Sequence, residues 1–242
     1  MYAILKKKYG QNFLIDKNIL SKIKNLIDKN SLKILEIGPG DGRLTDEILN
    51  KKPKKLTLIE IDKDLIPNLS KKYSQFDFIN IINADILKEK IQTDFDLIIS
   101  NLPYNISSQI LVKISLLDNI PNKLIFMFQK EFAQRLLDKK INSINSLINC
   151  FYKINFNFNI SRNCFRPVPK IDSSILTFHK KQKPLIELHE TEKFIEFKRI
   201  LFSHKRKSLK NSLKDFNISD DFDLNLRVEN LDLITLIKLF RS

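Results

Sequence analysis

Tryptophan is absent from this sequence, cysteine occurs twice, and glycine occurs only four times in 242 residues. At the average usage near 7%, a chain of this length would carry about 17 glycines. The four are Gly10, Gly38, Gly40 and Gly42, so three are bunched between residues 38 and 42. A chain this poor in glycine keeps it where backbone geometry requires it. The two cysteines, Cys150 and Cys164, exclude a disulfide scaffold and suit a reducing cytosol. With His179, His189 and His204 they show no ligand spacing, so no metal site is expected. No uninterrupted apolar run approaches the roughly 20 residues that cross a bilayer. Met1 to Leu5 precede Lys6-Lys7-Lys8, the reverse of signal-peptide order. A cytoplasmic chain with no membrane partner is therefore expected.

What is present is mostly order and positive charge. Hydrophobic residues make up 43% and charged residues 29%, which excludes a disordered class. The net charge of +14 is unevenly placed. Residues 1–34 carry net +6, residues 123–170 net +7 and residues 198–214 net +7, whereas the stretch 35–122 is net −2. A near-neutral centre flanked by basic blocks points to a polyanion partner such as nucleic acid.

Hydrophobic periodicity predicts a helix from the Asp16 cap to about Ile27, then short apolar runs at 33–37, 56–61, 79–82, 95–100 and 124–128. Helical patterns at 44–49, 66–73, 107–117 and 130–137 lie between or after them. Strand alternating with helix predicts an α/β fold with a mostly parallel sheet covered on both faces. The runs 151–160 and 174–178 lack a crossover helix between them, which predicts an antiparallel edge. In the first of these, Phe156, Phe158 and Ile160 are expected on one side. After a linker at 180–184, helices at 192–202, 205–216 and 232–240 suggest a small α-helical C-terminal domain. The expected division is 1–180 and 181–242.

The glycine cluster, Glu36-Ile37-Gly38-Pro39-Gly40-Asp41-Gly42, follows one strand and opens a helix. In such sheets ligands bind beyond the carboxyl ends of the strands, where glycine lets the backbone approach closely. Glu60 ends the next strand, where a carboxylate can accept both hydroxyls of a ribose. Asp85 follows the third, within reach of an adenine amino group. These residue types resemble the class I S-adenosylmethionine-dependent methyltransferases, whose Rossmann-like sheet and cofactor they imply.

Asn101-Leu102-Pro103-Tyr104 follows the fourth strand. The amino group of a base is a poor nucleophile because its lone pair is delocalised into the ring. Acceptors that hold both amino hydrogens favour a pyramidal nitrogen, and the Asn101 side-chain oxygen and Leu102 carbonyl suit that task. Pro103 fixes the turn, and Tyr104 offers a face for a base that has left its own stack. Further on, Phe165 begins an F-x-P-x-P stretch in which two prolines can hold an aromatic ring at the pocket mouth. Arg166 beside it, and Lys205, Arg206, Lys207 and Lys210 beyond, are candidate RNA contacts; helical spacing would put Arg206 and Lys210 on one face.

Several segments are similar, in order, to the ribosomal RNA adenine dimethyltransferase family. They are 9–14, 101–107, 129–131, 165–173 and 205–213, and the likeness spans about residues 6 to 231. Within the family the chain looks most like enzymes that dimethylate two adjacent adenosines near the 3′ end of small-subunit ribosomal RNA. The resemblance implies that Asn12, Leu14, Gly38, Glu60, Asp85 and Asn101 surround the cofactor, with Tyr104 and Phe165 on the target adenine. It implies small-subunit RNA, or the immature subunit, as partner for a monomer. A large-subunit RNA methyltransferase and a non-catalytic assembly factor are the alternatives. The chain departs from the family at Ile144-Asn145, where a tyrosine and a glycine or serine are usual, so the local geometry at 140–147 is expected to differ.

Overall fold

A computed structural model describes residues 12–91, 94–204, 206–213, 216 and 222–242. The chain enters through a two-residue strand, β1 (Phe13–Leu14), and helix α1 (Lys17–Asn25). The Asp16 carboxylate caps α1 by accepting from the Asn18 and Ile19 amides. Two strand–helix units and a third strand follow: β2 (Lys33–Ile37), α2 (Arg43–Leu49), β3 (Lys55–Glu60), α3 (Ile66–Tyr73) and β4 (Ile79–Asn83). The chain then crosses to β5 (Leu97–Asn101), α4 (Ser107–Ser115), β6 (Lys123–Gln129), α5 (Lys130–Leu137) and α6 (Asn145–Phe151). Strands β7 (Tyr152–Ile160), β8 (Phe165–Arg166) and β9 (Ser173–Lys180) complete the β structure. Helices α7 (Thr191–Ser203), α8 (Leu209–Ser212) and α9 (Leu233–Arg241) end the chain.

The seven-stranded sheet has the order β4-β3-β2-β5-β6-β9-β7, parallel from β4 to β6 and antiparallel across β9 and β7. The last strand to be made, β9, thus lies between β6 and β7. Neighbouring residues of the central strands face opposite ways, as the pleat requires. Ile34, Leu97 and Ile99 join a core with α1, α2 and α3, whereas Leu35, Ile98 and Phe126 join one with α4, α6 and the C-terminal helices. Phe194, Phe197, Leu201 and Leu236 lie in that second core, so the helices beyond residue 180 are packed into one face of the sheet. No described helix is long and apolar enough to cross a membrane.

Two expectations are corrected. Strand β7 carries a bulge between Phe156 and Phe158, so these rings do not share a side. Phe156 pairs opposite Leu176 and stands half exposed, whereas Phe158 and Ile160 turn toward the core of α1. The helix expected at 205–216 contracts to α8, because Ser208 is extended and bridges to Arg227. Arg206 and Lys207 therefore precede the helix and do not share a helical face with Lys210; Lys205 lies outside the described residues. Around 140–147, buried Asn145 organises the turn. Its Oδ1 accepts from the Asn142 amide at 2.7 Å, and its Nδ2 reaches the carbonyls of Arg135, Asp138 and Lys140.

Candidate active site

The order of the sheet reverses between β2 and β5: from β2 the chain moves outward to β4, then returns to the other side. The crevice at the carboxyl ends of such strands is where α/β sheets bind ligands. A cavity lies there, bounded by residues from β2 to β5 and by Asn12 and Phe13.

The glycine turn forms one wall. Gly38, Gly40 and Gly42 have φ of 67°, 61° and 82°, a region that side chains disfavour. A Cβ on Gly38 would meet nothing within 4 Å, so this backbone borders open space. A Cβ on Gly40 would lie 2.6 Å from the Phe13 ring, which presses on the turn.

Glu60 ties the turn to the end of β3. Its Oε2 accepts from the Gly40 amide at 3.1 Å and its Oε1 from the Asp62 amide at 2.9 Å. Burial pushes its pKa up, while those two backbone donors pull it down. Asp85 follows β4; its Oδ1 accepts from the Leu87 amide at 2.9 Å and fixes the turn. Glu36 lies behind the glycine turn, fully buried, with Oε2 accepting from the Thr45 hydroxyl at 2.6 Å and Oε1 without a partner among the described residues. Burial pushes the Glu36 carboxyl up to about 8, so it is mostly protonated at neutral pH.

The opposite wall is the turn after β5. Ser100 donates to the Ile37 carbonyl at 2.6 Å and holds β5 against β2. Asn101 Nδ2 donates to the Asn12 carbonyl at 2.9 Å. Asn101, Leu102, Pro103 and Tyr104 all line the cavity. The Tyr104 hydroxyl is 2.7 Å from the Ser173 hydroxyl, and burial raises its pKa.

The structure brings Asn12, Gly38, Glu60, Asp85 and Asn101 to Tyr104 around one cavity, but not Leu14 or Phe165. Leu14 and Phe165 oppose each other in the β1–β8 pair and both pack into the core with α1. Phe165 is fully buried in that core, so its ring does not stand at the pocket mouth. Phe13 takes the lining position, one residue from the one expected. Sequence reasoning also missed Ile61 and Ile86, apolar walls beside Glu60 and Asp85; their signal was adjacency to an acidic strand end.

Arg166, Arg206, Lys207 and Lys210 are exposed and lie off the cavity. The Arg166 guanidinium donates to the Phe165 carbonyl at 2.8 Å. Among the described residues no group of three or more His, Cys, Asp or Glu is placed to hold a metal ion.

The arrangement offers a carboxylate for a diol, a second carboxylate with apolar walls for a flat base, and an amide oxygen beside an aromatic face. A family model described as ribosomal RNA adenine dimethylase matches residues 3–238. The chain is 40% identical to the ribosomal RNA small subunit methyltransferase A of Mycoplasma capricolum, over 97% of this chain and 96% of that one. It is 41% identical to the protein of that name from Pelagibacter ubique, over 100% and 98%. Among solved structures, a dimethyladenosine transferase from Plasmodium falciparum aligns with TM-score 0.76 and 26% identity, covering 93% and 95%. The 23S rRNA methyltransferase ErmE aligns with TM-score 0.73 at 24% identity, covering 95% and 98%, a likeness of fold.

Proposed function

This chain belongs to the ribosomal RNA adenine dimethylase family, and we infer from that membership that it dimethylates adenine in small-subunit ribosomal RNA. Its targets in this reading are two adjacent adenosines near the 3′ end, each methylated twice at N6 during subunit assembly. The observation that carries the reading is the convergence of Glu60, Asp85 and Asn101 to Tyr104 on one cavity.

S-adenosylmethionine fits the residues present. Open space beside the Gly38 backbone admits a ligand, and a carboxylate has about four acceptor sites, so Glu60 retains capacity for ribose hydroxyls beside its backbone donors. Asp85 and the Ile86 wall suit its adenine, and Asn12 and Phe13 cover it. Bound there, it would supply a sulfonium methyl for attack by an amino nitrogen, with the neutral thioether as leaving group.

The chain's own part is positioning. Tyr104 stacks the extruded adenine, and the Asn101 Oδ1 and Leu102 carbonyl accept its two amino hydrogens. No strong base is needed, because the methylated amino group is acidic while it is cationic. Phe165 acts through the strand it supports, as does Leu14. Arg166, Lys205, Arg206, Lys207 and Lys210 engage RNA phosphates, with residues 181–242 as the RNA-binding part. The enzyme works as a monomer in the cytoplasm.

The test is labelled methyl transfer to immature small subunits, large subunits and naked RNA in parallel, with the modified base identified. Dimethyladenosine in small-subunit RNA is expected. Label confined to large-subunit RNA would overturn the substrate assignment, and binding without transfer would make the chain an assembly factor.

A further inference from the structure

We propose that the backbone carbonyl of Asn12 is a positioning group for the Asn101 amide, so that the segment covering the cavity also aims the group that receives the target amine. The proposal rests on the functional reading above and adds a control on its central residue.

An asparagine side chain can point either end at a substrate, and only one end accepts hydrogens. Asn101 Nδ2 lies 2.9 Å from the Asn12 carbonyl oxygen. Were the amide turned over, two acceptor oxygens would face each other at that distance, so the carbonyl selects the orientation. The nitrogen is committed to Asn12, and Oδ1 is the end presented to an incoming amino group. The reverse orientation would present a donor to a donor.

The carbonyl can do this because its own place is fixed from three sides. Phe13, the next residue, rests on the Gly40 backbone. Phe13 and Leu14 pair with Arg166 and Phe165, and the Ile15 amide donates to the Cys164 carbonyl at 2.8 Å. Asn12 and Phe13 line the same cavity as Glu60 and Asp85. Seating of this segment and orientation of the amide are therefore one event, and a catalytic amide is aimed only when the cavity is covered.

The N101D variant separates aiming from accepting. Its carboxylate still offers an acceptor oxygen but sets another against the Asn12 carbonyl. Protonated, the carboxyl regains a donor for Asn12 and an acceptor for the amine. The readout is the ratio of variant to parent kcat across pH, since Glu60 and Asp85 line the cavity in both proteins. Expected is a ratio that climbs as pH falls, by up to tenfold per unit. A ratio flat in pH, at any level, overturns the proposal.

Phe13→Ala supplies a second arm should that variant fail to fold. It should lower kcat at saturating S-adenosylmethionine and RNA by fivefold or more; a loss confined to the cofactor KM would leave the segment a cover only. A third readout needs no turnover. In 15N-labelled protein without ligands, one Asn101 side-chain amide proton should be shifted and slow to exchange, and Phe13→Ala should abolish both effects. Persistence of both would overturn the proposal. A parent enzyme that methylates no RNA would sink the functional reading alone.

Discussion

The hydroxyls of Tyr104 and Ser173 lie 2.7 Å apart, joining the turn after β5 to the first residue of β9. Ser173 is fully buried and pairs with Gln129 on one side and Ile160 on the other, so it is an immobile anchor. The Tyr104 ring, proposed above to stack the base, is thereby held by the antiparallel edge of the sheet. Tyr104→Phe keeps the ring and loses only this bond, at about 0.5–1.5 kcal/mol, so transfer should slow by roughly tenfold at most. Tyr104→Ala removes the stacking face and should cost about 1–3 kcal/mol. Single-turnover transfer at saturating cofactor checks the ranking, and equal losses in the two variants would deny the stacking role.

Affinity for S-adenosylmethionine should fall with pH on the acid side. A diol binds an ionised carboxylate more strongly than a neutral carboxyl, and burial holds the Glu60 carboxyl above the usual carboxylate value. Ribose hydroxyls favour the charged form, so below that raised pKa the affinity declines by up to tenfold per unit. Glu60→Gln should weaken binding by about 1.5–3 kcal/mol at neutral pH and flatten this decline. Calorimetry of parent and variant at matched pH checks it, with Asp85 common to both.

Glu36 predicts a stability profile. Its folded pKa is raised from 4.5 to about 8, so the folded chain binds that proton more tightly than the unfolded one. Its contribution to stability is complete below the unfolded value and is lost as pH rises toward the folded one. Glu36→Gln stays neutral and can still accept from Thr45, so the variant should lose less stability over that window. Urea midpoints at about pH 5.5 and pH 8.5 give the answer; parallel declines would show that Glu36 does not titrate there.

Gly40→Ala combines a positive φ with a collision against Phe13. The backbone strain alone is worth about 1–2 kcal/mol, and displacing the ring uncovers the cavity. A lower melting temperature with weaker cofactor binding is expected. Binding that survives unchanged would mean that Phe13 does not cover the ligand.

Replacing Arg206, Lys207 and Lys210 with glutamine should weaken RNA binding and lower its salt dependence. The log–log slope should become shallower by up to about 0.9 for each phosphate no longer neutralised, or about 0.7 for single-stranded RNA. All three are exposed, so the fold should persist. An unaltered slope would make the block an ordinary solvated surface.

Local order was readable wherever one short stretch decides it. Lys33–Ile37, Ile66–Tyr73 and Lys130–Leu137 begin and end where their apolar patterns do, and Asp16 caps α1 as its side chain predicts. Glu60, Asp85 and Asn101 were readable because strand ends in a parallel sheet converge by topology. The misses have a common origin in distant pairing. The bulge in β7 is set by its partner β9, and the unbroken phenylalanine–asparagine alternation carries no trace of it. Ser208 leaves the helical pattern because Arg227 pairs with it. Which of Phe13 and Leu14 faces the cavity is a choice between two sides of a two-residue strand. Its partner, Phe165–Arg166, settles that choice, and a slip of one residue reverses it.

The position of β9 between β6 and β7 also orders the birth of the enzyme. Synthesis proceeds from the amino terminus, so β7 is finished before β9, its one partner among the described residues. Until β9 inserts, β6 is a bare edge and β7 lacks a strand partner among the described residues, a state exposed to misassembly. The crevice takes its floor from β2 to β5, whereas the Phe165–Arg166 partner of β1 and the Ser173 anchor of Tyr104 are made later. A nascent chain thus has the floor of its cavity before the cover strand has its partner or Tyr104 its anchor, and the site is complete only once β8 and β9 are in place.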